Sequence, residues 1–271
     1  MSDNFSLADR TVLITGSSTG LGKAMAHSFG AAGARVAINY QNNVERAEET
    51  FSGFRDAGFE GALFRGDVTD EAEVHRLTAE IAETLGPIDI VVVNATPAQP
   101  QMSIEEYDWE FYQSMIDFFI KSPFLLARAT IPHMRTQKWG RIISVTTSFD
   151  TMHREYGSPY GPSKAGHEAL VSTMAKELEG TGVTANILVP GGASNTNLID
   201  PRPGLDRDIL IQTDVMKAPV VWLASEASSE TNGRRFIGQF WDESLPIEER
   251  LERAGAPAAW PEKARQVIPP R

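Results

Sequence analysis

The chain predicts a doubly wound α/β protein, a parallel sheet held between two layers of helices. Three observations carry that expectation. Short β-branched and apolar runs alternate with helical patterns along most of the length, which requires right-handed crossovers between parallel strands. The run 88–93 reads as a strand buried on both faces, as a central parallel strand must be. Polar or glycine-rich features follow the strands at Gly16, Asp67, Asn94, the threonines after Val145, and Pro190-Gly191. These are carboxyl-end positions, where open parallel sheets bind their ligands.

Val12-Leu13-Ile14-Thr15 is a short strand running into Gly16-Ser17-Ser18-Thr19-Gly20-Leu21-Gly22, and a helical pattern over 21–32 stops at Gly33. Glycines without Cβ atoms let the backbone turn sharply and let a pyrophosphate approach the positive end of that helix. Their spacing is not the common dinucleotide G-x-G-x-x-G. The second strand is Arg35–Tyr40, and Glu45, Glu48 and Glu49 form the solvated face of a following helix. A strand over 62–64 closes at Gly66-Asp67-Val68-Thr69. An amphipathic helix over 71–85 stops at Gly86-Pro87. A long helical region spans 104–135, and strand 140–146 precedes a helix that carries Tyr160 and Lys164 to about 179. Val183–Val189 is a strand, 217–225 a helix and 235–239 a short last strand. One domain is expected over 1–240, with a substrate lid at 192–216 that orders when cofactor binds. An extension over 241–271 is expected to pack on its own or a neighbouring subunit through the aromatic anchors Phe240-Trp241 and Trp260-Pro261.

Composition narrows the function. The 271 residues carry a formal charge of −11, which argues against binding nucleic acid through its phosphates. The absence of cysteine excludes disulfides, thiolate metal sites and cysteine nucleophiles. No apolar run is long enough for a bilayer, and residues 1–7 lack a basic-then-apolar pattern, so a cytoplasmic protein without membrane partners is expected. His27, His75, His133, His153 and His167 show no metal-ligand spacing, and no metal is expected; His153 lies close enough in sequence to the active loop to touch substrate.

Chemistry is concentrated at Tyr160-Gly161-Pro162-Ser163-Lys164. Positions i and i+4 share a helix face, so the phenol and the ammonium can point into one space. A free tyrosine titrates near 10 and is a poor acid–base group at neutral pH; a neighbouring cation favours the phenolate.

With Thr15-Gly16-Ser17-Ser18-Thr19-Gly20-Leu21-Gly22, Asp67-Val68, Asn94-Ala95, Tyr160-Gly161-Pro162-Ser163-Lys164 and Pro190-Gly191 in this order, the chain resembles the short-chain dehydrogenase/reductase family over residues 8–238. The resemblance implies a Rossmann-type three-layer sandwich, a nicotinamide cofactor, and hydride transfer between a carbonyl and a secondary alcohol. It implies that Gly16, Gly20 and Gly22 cradle the pyrophosphate, Asp67 and Val68 hold the adenine, Asn94 lies against the cofactor ribose, and Ser18, Thr19, Leu21 and Ala95 also contact the cofactor. Tyr160 would be the general acid–base and Lys164 would bind the nicotinamide ribose and lower the tyrosine pKa. Pro190 and Gly191 would contact the cofactor, and the residues after them, Ala193 and one of Asn195 or Thr196, would meet the carboxamide. A dimer or tetramer is the family expectation.

Three positions depart from the family pattern. Thr147, with Ser148 beside it, stands where a serine usually bonds the substrate oxygen; strand alternation favours Thr147. Phe119 replaces the asparagine that holds a relay water, and Thr96 replaces the glycine after Asn94-Ala95. The second strand ends Asn39-Tyr40-Gln41-Asn42-Asn43 with no acid to bind a ribose 2′-hydroxyl. Neutral amides can donate to a 2′-phosphate, so NADP(H) is expected over NAD(H), with Tyr40 beside it and Arg46 as a source of positive charge. Two other classes would use the same frame: a nucleotide-binding sensor or scaffold with impaired catalysis, and an isomerase or dehydratase that regenerates its cofactor.

Overall fold

The computed structural model describes residues 5–199 and 206–260. Eight strands form one sheet in the order β3-β2-β1-β4-β5-β6-β7-β8. They are β1 Thr11–Ile14, β2 Arg35–Tyr40, β3 Gly61–Arg65, β4 Ile90–Val93, β5 Gly140–Val145, β6 Val183–Val189, β7 Arg234–Ile237 and β8 Gly255–Pro257. All neighbours are parallel except β7 and β8. Alternation along the strands sorts side chains onto two cores. Leu13, Ala37 and Val91 pack on one face with Leu77, Leu126 and Val171. Val12, Ile14, Val36 and Ile38 pack on the other with Met25, Phe29 and Trp222.

The helices are α1 Gly20–Ala31, α2 Val44–Asp56, α3 Glu71–Thr84, α4 Trp109–Ile116, α5 Ser122–Gln137, α6 Phe149–Met152, α7 Tyr160–Glu177, α8 Lys217–Ala224 and α9 Ile247–Ala254. The long helical region expected over 104–135 is shorter and broken. It starts after Asp108, whose carboxylate accepts the Phe111 N–H at 2.7 Å and caps α4, while Ile104 stays 72% exposed in the preceding turn. A π-helical turn, Asp117–Lys121, then separates α4 from α5. Pro123 has no N–H to give the Phe119 carbonyl, so the regular ladder cannot continue, and the Ser122 N–H reaches back to Asp117 instead. The last expected strand also ends sooner, because Gly238–Phe240 is a 3₁₀ turn.

Residues 241–260 pack on this same sheet. Trp241 is 9% exposed and meets Trp222 at 5.3 Å and Phe236 at 6.3 Å between ring centres. Phe240, expected as a second anchor, is 46% exposed. α9 leads into β8, which covers the outer edge of β7, and the Trp260 ring packs edge-on against Phe149 at 5.0 Å. Pro261 lies outside the described residues. Replacing Trp241 with alanine should destabilise the fold by roughly 3–5 kcal/mol in chemical denaturation, whereas Phe240→Ala should stay within about 0.5 kcal/mol.

Candidate active site

β1 lies between β2 and β4, so the chain leaves its carboxyl end in both directions along the sheet and opens a crevice there. Hydrogen bonds shape that crevice from below. The Thr15 hydroxyl accepts the N–H groups of Asn94 and Ala95 at 2.9 and 3.0 Å, and the Asn94 amide donates to the carbonyls of Thr15 and Gly16 at 2.9 and 3.2 Å. Asn39, 2% exposed, accepts the Gly16 N–H at 3.2 Å and donates to Phe64 and Gly66. Asn39 and Thr15 therefore hold four strand ends in register, those of β1, β2, β3 and β4. Asn94, expected against the cofactor ribose, also braces the glycine turn. Gly16 has φ 62°, and a Cβ on it would come within 2.9 Å of Ala95 Cα; a Cβ on Gly22 would come within 2.6 Å of the Gly16 carbonyl oxygen. Only glycine lets α1 sit this close to the strand end.

The first turn of α1 carries no acidic residue and Thr19 makes no capping bond to it. α2, α3 and α4 are each capped by a side chain (Asn43, Asp70, Asp108) and have acids in the first turn. The N-terminus of α1 thus offers its unpaired N–H groups and positive dipole to an anion, and the residues present fit a dinucleotide pyrophosphate. Ser18 accepts the Thr50 hydroxyl through its carbonyl, Thr19 accepts the Asn197 amide at 3.2 Å, and Leu21 packs into the core. Further along, Asp67 accepts Thr69 at 2.8 and 2.7 Å and the Gln41 amide at 2.7 Å, and Val68 is buried beside it. Tyr40 is half-buried at the end of β2, with no carboxylate at that end.

The segment after β6 crosses towards the glycine turn. Gly191 has φ 116°, and Thr196 lies against Gly20. The Pro190 carbonyl accepts the Gln239 N–H at 3.0 Å. Ala193 and Asn195 pair with Ile211, and Arg207 donates to Asn195 at 2.8 Å, so the two described limbs of the expected lid are tied together. Residues 200–205 lie outside the described chain.

Tyr160 opens α7. A Cβ on Gly161 would overlap the Met152 carbonyl oxygen, so glycine is what lets the helix start pack against α6. Burial pushes the Tyr160 phenol up; hydrogen bonds from Thr147 and Gln99 and the charge of Arg154 act in the opposite direction. Ser148 is engaged elsewhere. Its hydroxyl pairs with that of Thr151 at 2.8 Å and accepts the Thr151 N–H, capping α6. Lys164, 3% exposed, donates to the Val145 carbonyl at 2.7 Å. Its ammonium sits 4.1 Å from the centre of the Phe119 ring, which packs edge-on against Tyr160 at 5.4 Å. Burial lowers Lys164 to about 7, against a raising influence from Glu168. The expected lowering of the tyrosine by the lysine is not found: the phenol is raised, Lys164 is not among the groups acting on it, and Phe119 lies against both side chains. His153 bonds the Phe149 carbonyl at 2.9 Å and packs tilted against its ring. Thr96 accepts the Gln99 amide at 3.2 Å, so the departure from glycine supplies a hydroxyl that orients a residue bonded to Tyr160.

Beneath the site runs a buried ion pair that sequence reasoning did not single out. Arg235 donates to Glu168 at 3.1 Å and to the Thr147 carbonyl at 3.2 Å, and Glu168 also accepts the Thr146 hydroxyl at 3.0 Å. The side chains are 10% and 0% exposed. The Glu168 spacing from Lys164 is a helical one visible in the sequence; Arg235 gives no such signal, because it arrives from β7. Removing Arg235 alone leaves a buried, unpaired carboxylate. Arg235→Met should therefore cost roughly 3–5 kcal/mol, and the double variant with Glu168→Leu clearly less, by urea denaturation. Lys164 gives a second expectation. Its folded pKa is lowered, so the unfolded chain binds the extra proton between about 7 and the ordinary lysine value. Stability should rise with pH across that window, and Lys164→Met should abolish that part of the rise and raise the melting temperature of the cofactor-free protein at pH 6.

Comparison with known proteins agrees with this geometry. The short chain dehydrogenase family model matches residues 10–203. The chain is 34% identical over 243 residues to 3beta-hydroxysteroid dehydrogenase 1 of Eggerthella lenta, covering 84% of this chain and 91% of that protein. It is 31% identical to NADPH-dependent aldehyde reductase 2, chloroplastic, of Arabidopsis thaliana, covering 84% and 92%. Among solved structures, a gluconate 5-dehydrogenase from Burkholderia cenocepacia in complex with NADP and tartrate superposes with a TM-score of 0.77 at 28% identity, covering 87% and 95%. The chain belongs to the short-chain dehydrogenase/reductase family, and it is an NAD(P)-dependent oxidoreductase that interconverts an alcohol and a carbonyl.

Proposed function

We propose that Tyr160 is the general acid–base of this reaction, with Thr147 bonding the substrate oxygen and Lys164 binding the nicotinamide ribose. The observation that carries the reading is the placement, at one edge of the sheet, of the uncapped α1 terminus and of Tyr160 beside Thr147, whose hydroxyl favours the phenolate. Gly16, Ser18, Thr19, Gly20, Leu21 and Gly22 would hold the pyrophosphate, Asp67 and Val68 the adenine, and Asn94 and Ala95 the adjoining ribose. Pro190, Gly191, Ala193, Asn195 and Thr196 would meet the carboxamide. The bound cofactor supplies or accepts a hydride at the substrate carbon. Tyr160, kept protonated by burial, is suited to give its proton to the carbonyl oxygen in reduction. In oxidation the phenolate is needed, and the bonds from Thr147 and Gln99 and the charge of Arg154 favour it. Thr147 is anchored by Arg235 at its carbonyl, which leaves its hydroxyl to the phenol and the substrate oxygen.

NADP(H) is the preferred cofactor in this reading. No acidic residue ends β2 itself, Asn42 and Asn43 have amide groups there, the Gln41 amide is taken up by the neighbouring Asp67 carboxylate, and the Burkholderia relative is described with NADP bound. The same reading gives a dimer or tetramer through the long helices, where Trp109 and Phe124 are exposed on α4 and α5. Nicotinamide turnover draws on the intracellular pool, which is the reason to place the protein in the cytoplasm.

Titration of the protein with NADPH and NADH, followed by nucleotide fluorescence, should show tighter binding of NADPH; a clear preference for NADH would overturn the assignment of the β2 end. Tyr160→Phe should lose roughly 10²–10⁴-fold in turnover while still binding nucleotide, and unchanged turnover would remove Tyr160 from its role.

A further inference from the structure

We propose that the cleft over Tyr160 takes a substrate with a carboxylate close to its reacting carbon, and that Arg154 is the partner of that carboxylate. The inference rests on the assignment of Tyr160 above and names the substrate class for the same site.

The cleft is narrow, about 10 Å³ of open space, so its walls must part to admit more than a water. They are aromatic and apolar, including Tyr107, Phe111, Met115 and Tyr156, and the exposed Arg154 is the one charged residue among those lining it. Among the described residues no side-chain hydrogen bond or ion pair engages its guanidinium, although the chain as a whole carries a charge of −11. Several other arginines are engaged, Arg76 by Glu73 and Glu80, Arg207 by Asn195 and Arg235 by Glu168, while the exposed Arg46 shares with Arg154 the lack of a side-chain partner among the described residues. Among the influences on the Tyr160 phenol, the charge of Arg154 is the smallest, and it favours the phenolate.

The loop that carries Arg154 is held in place rather than loose. Tyr156 adopts φ 62°, a left-handed conformation that bulky residues rarely take. The Tyr107 hydroxyl lies 3.0 Å from the Tyr156 carbonyl and 2.7 Å from that of Pro100, and it accepts the Met102 N–H at 3.2 Å. One tyrosine thus ties both walls of the cleft and fixes the approach of the arginine.

The ligand chemistry follows. A planar guanidinium matches a carboxylate with two parallel hydrogen bonds. No lysine or second arginine lines the cleft to share a more highly charged phosphate, and no acid lines it to accept the hydroxyls of a neutral polyol. The substrate is then an oxo acid, or the corresponding hydroxy acid, with an apolar body against the aromatic walls. In reduction the carbonyl carbon gains the hydride, its oxygen takes the proton from Tyr160, and NADPH is oxidised to NADP⁺.

The test uses matched pairs: phenyl-bearing 2-oxo and 3-oxo acids and their methyl esters. Each is titrated into the NADPH-loaded protein by cofactor fluorescence and assayed for NADPH oxidation by the loss of its near-ultraviolet absorbance. The wild type should favour at least one acid over its ester by about tenfold or more in binding and in kcat/KM. Arg154→Glu should reverse that preference, Arg154→Ala should bring it close to unity, and Arg154→Lys should keep part of it. Esters bound as well as acids by the wild type, acids that neither bind nor react, or a ratio unmoved by Arg154→Glu would each overturn the proposal. If neutral ketones react while acids do not, the substrate class fails and the role of Tyr160 stands. Failure to bind NADPH would overturn the site reading and this inference together.

Discussion

A lysine ammonium buried at the carboxyl end of β5 is the constraint around which the rest of the site is arranged. Taking that charge out of water is unfavourable, and burial lowers Lys164 to about 7. What holds it is specific: the Val145 carbonyl at 2.7 Å, the face of Phe119 at 4.1 Å, and the field of Glu168 one turn along α7. Because the Val145 bond ties α7 to the end of β5, Tyr160 on the helix keeps its place relative to Thr147 two residues beyond Val145. The site is thereby set by an interaction that does not favour stability, a common arrangement where geometry matters more than free energy.

Phe119 joins backbone and site. Its carbonyl faces a proline four residues on, the ladder gives way to a π turn, and the ring comes to rest against Tyr160 and Lys164. α7 can approach that turn closely because Gly166 has no Cβ to meet Ile120. A ring at the position where the family resemblance implies an asparagine changes what the lysine meets on that side. Hydrogen bonding is replaced by a quadrupole that tolerates the charge without moving a proton. On the opposite side, Arg235 and Thr146 both bond one oxygen of Glu168, whose other oxygen is buried without a hydrogen-bond partner, and through Arg235 the pair holds the backbone of Thr147. Three elements, β5, α7 and β7, therefore meet in one buried polar cluster directly under the catalytic edge.

The cofactor crevice rests on a different principle. Its shape comes from backbone groups whose partners are side chains of neighbouring strands: Thr15 and Asn94 between β1 and β4, and Asn39 between β1, β2 and β3. These buried polar residues are nearly saturated with hydrogen bonds, which makes the crevice rigid where an anion would meet α1. The segment after β6 reaches over it through Thr196 and Asn197, so the covering strap and the glycine turn already touch in the protein alone.

Alternating strands and helices, uninterrupted apolar runs and polar features at each strand end were enough to read the parallel sheet and its ligand-binding edge from the sequence, because periodicity and turn chemistry are local properties. The pairing of Tyr160 with Lys164 was legible for the same reason, being a matter of helical spacing. The antiparallel β8, the break at Phe119 and the Arg235 clamp were not. β8 is three residues long and includes a proline, so only the open edge of β7 makes it a strand. Arg235 meets Glu168 across 67 positions of chain, and no local pattern records such a meeting. The choice between Thr147 and Ser148 belonged to both levels: strand alternation favoured one hydroxyl, and the other is used as the cap of α6. What the sequence by itself determined was the fold class, the order of its elements and the residue types capable of the chemistry. Which of those residues share a partner, which are buried and what charge they carry was decided only by tertiary packing, because desolvation and long-range contacts exist only once the layers have closed.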